Sequence, residues 1–228
     1  SCTKPVPYQI TDACDGTAGF IAPFILDPNN RDRLLAGGRS LWRTNDARTA
    51  NTSSTGPQWA NIKGPTGGNS NITAIAVAQR NSDFVWVGHV NGDLYVTLNG
   101  TAGSPAWARV DTNAPGLPNR TVTSVAVDPI DPSIAYVTFG GFTPDNLWRT
   151  TNFGATWQDV SGSGGTGMPD VPVRSIVLHP SNQNWLYAAT EVGVFASENG
   201  GASWSLPHEG PSNVAVFQLF WMDTLLVA

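Results

Sequence analysis

Charge is scarce in this 228-residue chain. Asp, Glu, Lys and Arg together make up 13% of it, lysine is rare, and the formal net charge is −5. No run of Lys or Arg occurs, which argues against a nucleic-acid partner. No apolar stretch approaches the length of a membrane span, so no membrane-crossing helix is expected. Only two cysteines are present, Cys2 and Cys14. They leave two readings open: a local disulfide, which we prefer, or two free thiols in a reducing compartment. The histidines, His89, His179 and His208, are scattered without metal-ligand spacing, and neither a metal nor another cofactor is expected. No segment shows the 3.6-residue period of an amphipathic helix. The chain does not open on Met, and we expect it to have been processed or excised from something longer.

What the chain has in abundance is turn chemistry and tryptophan: 24 Gly, 17 Pro and nine Trp. Asn, Ser and Thr are plentiful too, and the composition is that of a turn-rich all-β protein. Four Asn-x-Ser/Thr sequons stand at Asn51, Asn71, Asn99 and Asn119; they matter only in a glycosylating host. With the cysteines and the shortage of lysine, they lean toward a secreted, extracellular protein.

A repeat organises the chain. Tyr8, Trp59, Trp107, Trp157 and Trp204 follow one another at spacings of 51, 48, 50 and 47 residues. Apolar runs recur in step with them: "FIAPFILDP", "NITAIAVAQ", "TVTSVAVDP", "VPVRSIVLHP" and "VAVFQLFWM". A turn follows each run. A second strand ("RLLAG", "FVWVG", "IAYVT", "WLYAA", "TLLVA") and then a third ("SLWRT", "DLYVT", "NLWRT", "GVFAS") come next. Four short strands per unit, recurring about every 50 residues, predict an all-β propeller of four-stranded blades. The predicted units are an N-terminal segment 1–19, blades at 20–69, 70–119, 120–170 and 171–213, and a partial fifth at 214–228. "PYQIT" (7–11) reads as an outer strand. Two readings of the ends stay open. The termini build a fifth blade jointly and close a five-bladed ring, or the chain is a fragment of a larger propeller. The second calls for a companion polypeptide segment or an oligomer partner, because half-built blades expose apolar edges.

The turn before the repeated Trp reads "TTNFGATW" from Thr150 to Trp157 and "SENGGASW" from Ser197 to Trp204. Asn152 and Asn199 suit a local Asx turn. Gly154 and Gly201 allow positive φ, Thr156 and Ser203 close the turn, and Trp157 and Trp204 are placed to wedge between sheets. This motif resembles the Asp-box, or bacterial neuraminidase repeat, S-x-D-x-G-x-T-W, with Asn at the Asp position. Degenerate copies begin at Thr44–Asp46 and Thr97–Asn99, separated by insertions from Trp59 and Trp107. The resemblance runs from about Tyr8 to Ala228 and implies that the box stabilises the fold, remote from any central pocket. Within the family the phrasing is most similar to xyloglucanase-type glycoside hydrolases and sortilin-like receptor propellers. The sialidase branch needs an arginine triad, and only Arg174 stands at an inner-strand position here.

Function is expected near the axis. Aligned inner strands place Ala22, Thr73, Thr123, Arg174 and Phe217 at one position, where Arg174 is the single charge. It would grip a carboxylate or sulfate, or else pair with a neighbouring acid such as Asp170. Arg120 and Asn119 are expected on the same face, and Trp221 breaks the packing pattern and is a candidate for stacking on a ligand. Asp170, Asp145 and Glu191 are the candidate acids, with no defensible catalytic pair among them. The expected function is extracellular recognition of a glycan or protein ligand by one part of a larger secreted protein. The alternative is a xyloglucanase- or sialidase-like glycoside hydrolase domain.

Overall fold

The computed structural model describes residues 2–206 and 210–228; His208 lies outside them. The apolar runs become inner strands, and each strand folds back antiparallel on the one before it. The first sheet holds β1 (Phe24–Asp27), β2 (Asn30–Gly37), β3 (Leu41–Thr44) and β4 (Ala60–Lys63). The second holds β5 (Ile72–Val77), β6 (Val85–His89), β7 (Leu94–Thr97) and β8 (Ala108–Arg109). The third holds β9 (Val122–Val127), β10 (Ala135–Phe139), β11 (Leu147–Thr150) and β12 (Gln158–Asp159). In all three, sequence neighbours are sheet neighbours. A fourth sheet has three strands, β13 (Val173–His179), β14 (Asn182–Thr190) and β15 (Gly193–Ser197). The place of its fourth strand is taken by one bridge between Ala196 and Ser205. A hairpin of β16 (Phe220–Met222) and β17 (Leu225–Val227) follows. Helix is confined to α1 (Thr11–Cys14) and one 3-10 turn among the described residues.

The turns form for local reasons. The Asp27 carboxylate accepts the backbone N–H of Asn29 at 2.8 Å, and Asp128 accepts those of Ile130 and Asp131 at 2.7 and 2.9 Å. These are Asx turns, which reverse the chain between the first two strands of a sheet.

Indoles join sheet to sheet. Trp107 Nε1 donates to the Ile62 carbonyl at 2.8 Å, Trp157 Nε1 to Val110 at 3.0 Å, and Trp204 Nε1 to Val160 at 2.8 Å. Each acceptor lies three residues beyond the Trp of its own sheet, so one contact recurs at three joints. Trp157 and Trp204 are each 5% exposed, and Trp157 meets Trp86 edge-on at 6.0 Å. Burying an indole of this kind stabilises by a few kcal/mol.

At the N-terminus one expectation changes and one holds. The outer strand expected at 7–11 does not form. Pro5 and Pro7 cannot donate to a ladder, and this stretch meets the first sheet through Trp59 N–H to the Pro7 carbonyl at 2.8 Å. Cys2 and Cys14 are joined as a disulfide, which settles the choice between bridge and free thiols. The Asp12 carboxylate, buried beside it, accepts the Ser40 N–H at 2.6 Å and docks the segment.

Candidate functional site: the axis and its rim

The inner strands pack side by side, β5 against β9 and β9 against β13. Their later halves enclose a cavity of about 420 Å³. Ile25, Ile75, Val125 and Ile176 contribute one apolar side chain per sheet, and the Trp221 indole enters from β16. Trp221 is less free than expected. Its Nε1 donates to the Leu178 carbonyl at 2.7 Å, and its ring meets His179 and Tyr187 edge-on at 5.3 and 5.7 Å.

At the other end of the inner strands, Thr73, Thr123 and Arg174 each sit where the pairing register slips by one residue. A bulge re-aims the side chain of its extra residue. Thr73 Oγ1 thereby donates to the Val122 carbonyl at 2.6 Å, and Thr123 Oγ1 reaches that of Val173. Arg174 occupies the same slot and instead forms an ion pair with Glu191, Nε donating at 2.7 Å. Its guanidinium also lies 5.6 Å from the Phe217 ring centroid. The partner acid is therefore Glu191, from the turn after β14, and not Asp170.

Asp170 joins a different group. Arg120 donates to the Pro144 and Asp145 carbonyls at 2.9 and 3.2 Å. The Asp145 carboxyl beside it is held above the usual carboxylate range, chiefly by burial, then by the charge of Asp159 and a hydrogen bond with it, with Asp170 adding repulsion and Arg120 opposing. Asp145 and Asp170 share the wall of a small cavity of about 40 Å³. Asn119 is exposed next to Arg120. The five residues singled out for ligand binding thus fall into three places: Arg174 on its bulge, Arg120, Asn119 and Asp170 around Asp145, and Trp221 in the wall of the cavity between the inner strands.

The turn residues do what their chemistry allows. Asn152 Oδ1 accepts the Thr156 N–H at 2.9 Å, Asn152 Nδ2 donates to the Thr156 hydroxyl at 2.9 Å, and Gly154 N–H donates to Thr150 Oγ1 at 2.9 Å. Asn199, Ser203, Gly201 and Ser197 repeat the pattern at 2.8–2.9 Å. The Asn side chain reaches four residues on, where a reach of two was expected.

Two features escaped the sequence reading. The Lys63 ammonium lies 3.3 Å from His89 Nε2 and 4.0 Å from the Tyr95 ring centroid, with Asp93, Arg109 and Asp111 close by. Burial pushes Lys63 down to about 8, and burial with the Lys63 charge pushes His89 down to about 4. No local spacing announces a pair 26 residues apart from two sheets. The second is Arg149 in β11; its signal is the "LWRT" written in both β3 and β11.

No protein-family model and no curated protein sequence matches the chain. Solved structures do match. A GH74 xyloglucanase from Xanthomonas campestris superposes with a TM-score of 0.64 at 17% identity, over 89% of this chain and 32% of that one. An ancestral GH74 enzyme gives 0.63 at 22% identity, over 84% and 24%. The computationally designed Ika8 protein gives 0.56 at 14%, over 86% and 51%. The chain spans about a quarter to a third of the two GH74 structures. At these identities the likeness speaks for fold alone: several antiparallel sheets in a β-propeller arrangement.

Proposed function

We propose that the chain is an extracellular recognition module of the Asp-box propeller type, binding a glycan or protein ligand as one part of a larger secreted protein. Its sheets are then blades at 20–69, 70–119, 120–170 and 171–213, with a partial fifth at 214–228 after the disulfide-bearing segment 1–19. The observation that carries the reading is the axial cavity, about 420 Å³ with an apolar wall and one indole. A concave apolar wall with a few polar groups near its ends is the usual form of a ligand site. Gln79 and the Trp221 indole supply polar groups in that wall, while Arg174 with Glu191 and Phe217, and Arg120 with Asn119 and Asp170, stand at the starting end of the inner strands as a second, separate set of candidates. The Cys2–Cys14 disulfide supports an oxidising, extracellular setting.

A companion polypeptide or an oligomer partner fits the two ends of the arc. Phe20, Ile21 and Phe24 are exposed beside the first sheet, and Phe217, Met222 and Leu225 in the last segment. Exposed apolar side chains gathered this way mark surfaces that another sheet covers.

A glycan array followed by titration tests the reading. A ligand should bind the chain and lose affinity in Trp221→Ala or Arg174→Gln. Unchanged affinity in both variants sinks the axial assignment.

The second reading is a glycoside hydrolase, favoured by the likeness to a GH74 xyloglucanase and by the Asp145 carboxyl beside Asp159, which is shifted in the direction a general acid needs. Incubation with xyloglucan separates the two. Release of reducing ends that disappears in Asp145→Asn supports hydrolysis, and binding without release supports recognition.

A further inference from the structure

The third strand of each sheet faces the Trp-bearing turn of the next sheet, and the residue one place after the aromatic in that strand decides what fills the gap. In β3 this residue is Arg43, whose terminal nitrogens donate to the carbonyls of Gly100 and Ala102 in the next turn. In β7 it is Val96, and the gap is an apolar groove of about 540 Å³ walled by Leu98, Trp107 and Phe153. In β11 it is Arg149. Gly200 and Ala202 stand where Gly100 and Ala102 stand, yet Arg149 donates to neither.

Arg149 opens onto a cleft of about 340 Å³. Its Nε is buried without a partner, and its guanidinium forms no hydrogen bond or ion pair among the described residues. The nearest aromatic contact is the Tyr136 ring, 5.8 Å from the guanidinium carbon. Arg43 leaves its Nε unpaired as well, so the difference lies in the terminal nitrogens. Around Arg149 the cleft carries Gln158, Asp159, Asn184 and Asn199. A guanidinium without a partner favours a carboxylate, which it holds through two parallel N–H bonds. The amides and the Asp159 carboxylate suit hydroxyl groups, and Asp159 opposes a compact dianion such as sulfate. The volume is within the range of small-molecule sites.

We propose that this cleft binds an acidic sugar residue, with Arg149 gripping its carboxylate while Gln158, Asp159 and Asn184 read its ring hydroxyls. The assignment deepens the recognition reading and rests on it.

The test titrates the full chain with a glucuronate-containing oligosaccharide, its neutral glucose counterpart and sodium sulfate, by calorimetry and by chemical-shift mapping. The acidic sugar should bind more tightly than the neutral one, with shifts centred on Asn184 and Asn199. Arg149→Gln should weaken it roughly 10- to 100-fold, the loss expected for one charge-assisted contact. Arg149→Lys should recover part of that, since charge remains but the planar fork is gone. Asn184→Ala, at a second position of the same cleft, should weaken the acidic sugar as well, and thermal melts that match wild type exclude a folding defect in the Arg149 and Asn184 variants. Equal binding of acidic and neutral sugars, or sulfate binding as tightly as the acidic sugar, overturns the proposal. Binding lost in Arg174→Gln but kept in Arg149→Gln also overturns the cleft, and leaves the recognition reading standing. Absence of binding by any glycan or protein removes both.

Discussion

Two of the four Trp-bearing turns are tight and two are interrupted, yet one hydrogen bond survives in all of them. In the tight turns, Asn152 and Asn199 accept the N–H of the residue just before Trp, each at 2.9 Å. In the first sheet the insertion 47–55 intervenes, and Asp46 Oδ1 still accepts the N–H of Gln58, the residue before Trp59, at 2.9 Å. In the second, Asn99 Oδ1 accepts the N–H of Ala106, before Trp107, at 2.9 Å. The hydroxyl partner persists too, from Thr44 to Asp46 at 2.5 Å and from Thr97 to Asn99 at 2.8 Å. The contact that sets where the Trp strand begins is kept while the chain between is free to lengthen, because closing a longer loop costs little more. What the insertions change is the indole. Trp157 and Trp204 are buried, whereas Trp59 and Trp107 are only half-buried.

The largest expected effect tests that difference directly. Trp157→Ala removes a buried ring, its bond to Val110 and its edge contact with Trp86, and should cost about 3–5 kcal/mol. Trp107→Ala should cost distinctly less, since its ring already meets water. Urea unfolding of both variants decides it; equal losses would mean that the insertions do not loosen the pin.

The joint between the first two sheets carries a buried titratable pair, Lys63 and His89. The buried His89 imidazole is held down to about 4, against 6.5 in the unfolded chain. Between those values the unfolded chain takes up the proton first, so stability is lost as pH falls from 6.5 toward 4 and is fully present above 6.5. Lys63, held down to about 8, is charged in both states below pH 8 and adds no slope there. The contribution is at most about 3 kcal/mol. Asp93 and Asp111 face the same group, so the informative measurement is the difference between wild type and His89→Gln across pH 4–7. A slope unchanged by the substitution would assign the acid sensitivity elsewhere.

A smaller effect separates the tight turns from the loop of an interrupted one. Gly201 has φ +92°, and a Cβ there would stand 2.8 Å from the Val160 Cβ and carbonyl oxygen. Gly201→Ala should therefore cost about 1–3 kcal/mol from strain and overpacking. Gly103, in the second sheet's insertion, has nothing within 4 Å of its Cβ position, and Gly103→Ala should lie within about 0.5 kcal/mol of wild type. Thermal melts of the two variants compare them.

The strand pattern was legible because it is local. Apolar runs of period 2, Asx turns and a spacing near 50 residues are written in consecutive residues, and the inner strands, the Trp turns and the disulfide followed. The N-terminal outer strand was misread because "PYQIT" has strand-like side chains but opens on Pro7, which cannot donate, two residues after Pro5. In the fourth sheet Ser205 keeps the position after Trp204, and among the described residues a single bridge to Ala196 forms there. The site was far less legible. Arg174 was found by register, yet its partner Glu191 lies 17 residues away in a turn, and the bulge that aims the pair has no sequence mark. Lys63 with His89, and Arg149 with the fourth sheet's turn, become neighbours only when sheets stack, and no one-dimensional spacing encodes that.

The smallest effect concerns the Asx residue itself, where the first sheet's turn differs from the other three. Asp46 stands in the first sheet, and Asn stands at the matching position of the other three. The acceptor oxygen is common to both, but only the amide of Asn152 donates, to the Thr156 hydroxyl at 2.9 Å, and that turn is exposed. Asn152→Ala removes acceptor and donor and should cost about 1–2 kcal/mol, as for the loss of a helix cap. Asn152→Asp keeps the acceptor and lets the Thr156 hydroxyl rotate to donate, so it should cost under about 0.5 kcal/mol. The same pair at the first sheet, Asp46→Ala and Asp46→Asn, should show the same ordering, because Gln58 N–H needs only an oxygen. Chemical unfolding of the four variants makes the comparison. If Asn152→Asp were as damaging as Asn152→Ala, the amide donor would be the essential group, and the interrupted first turn would have to be held by something other than the bond it shares with the tight ones.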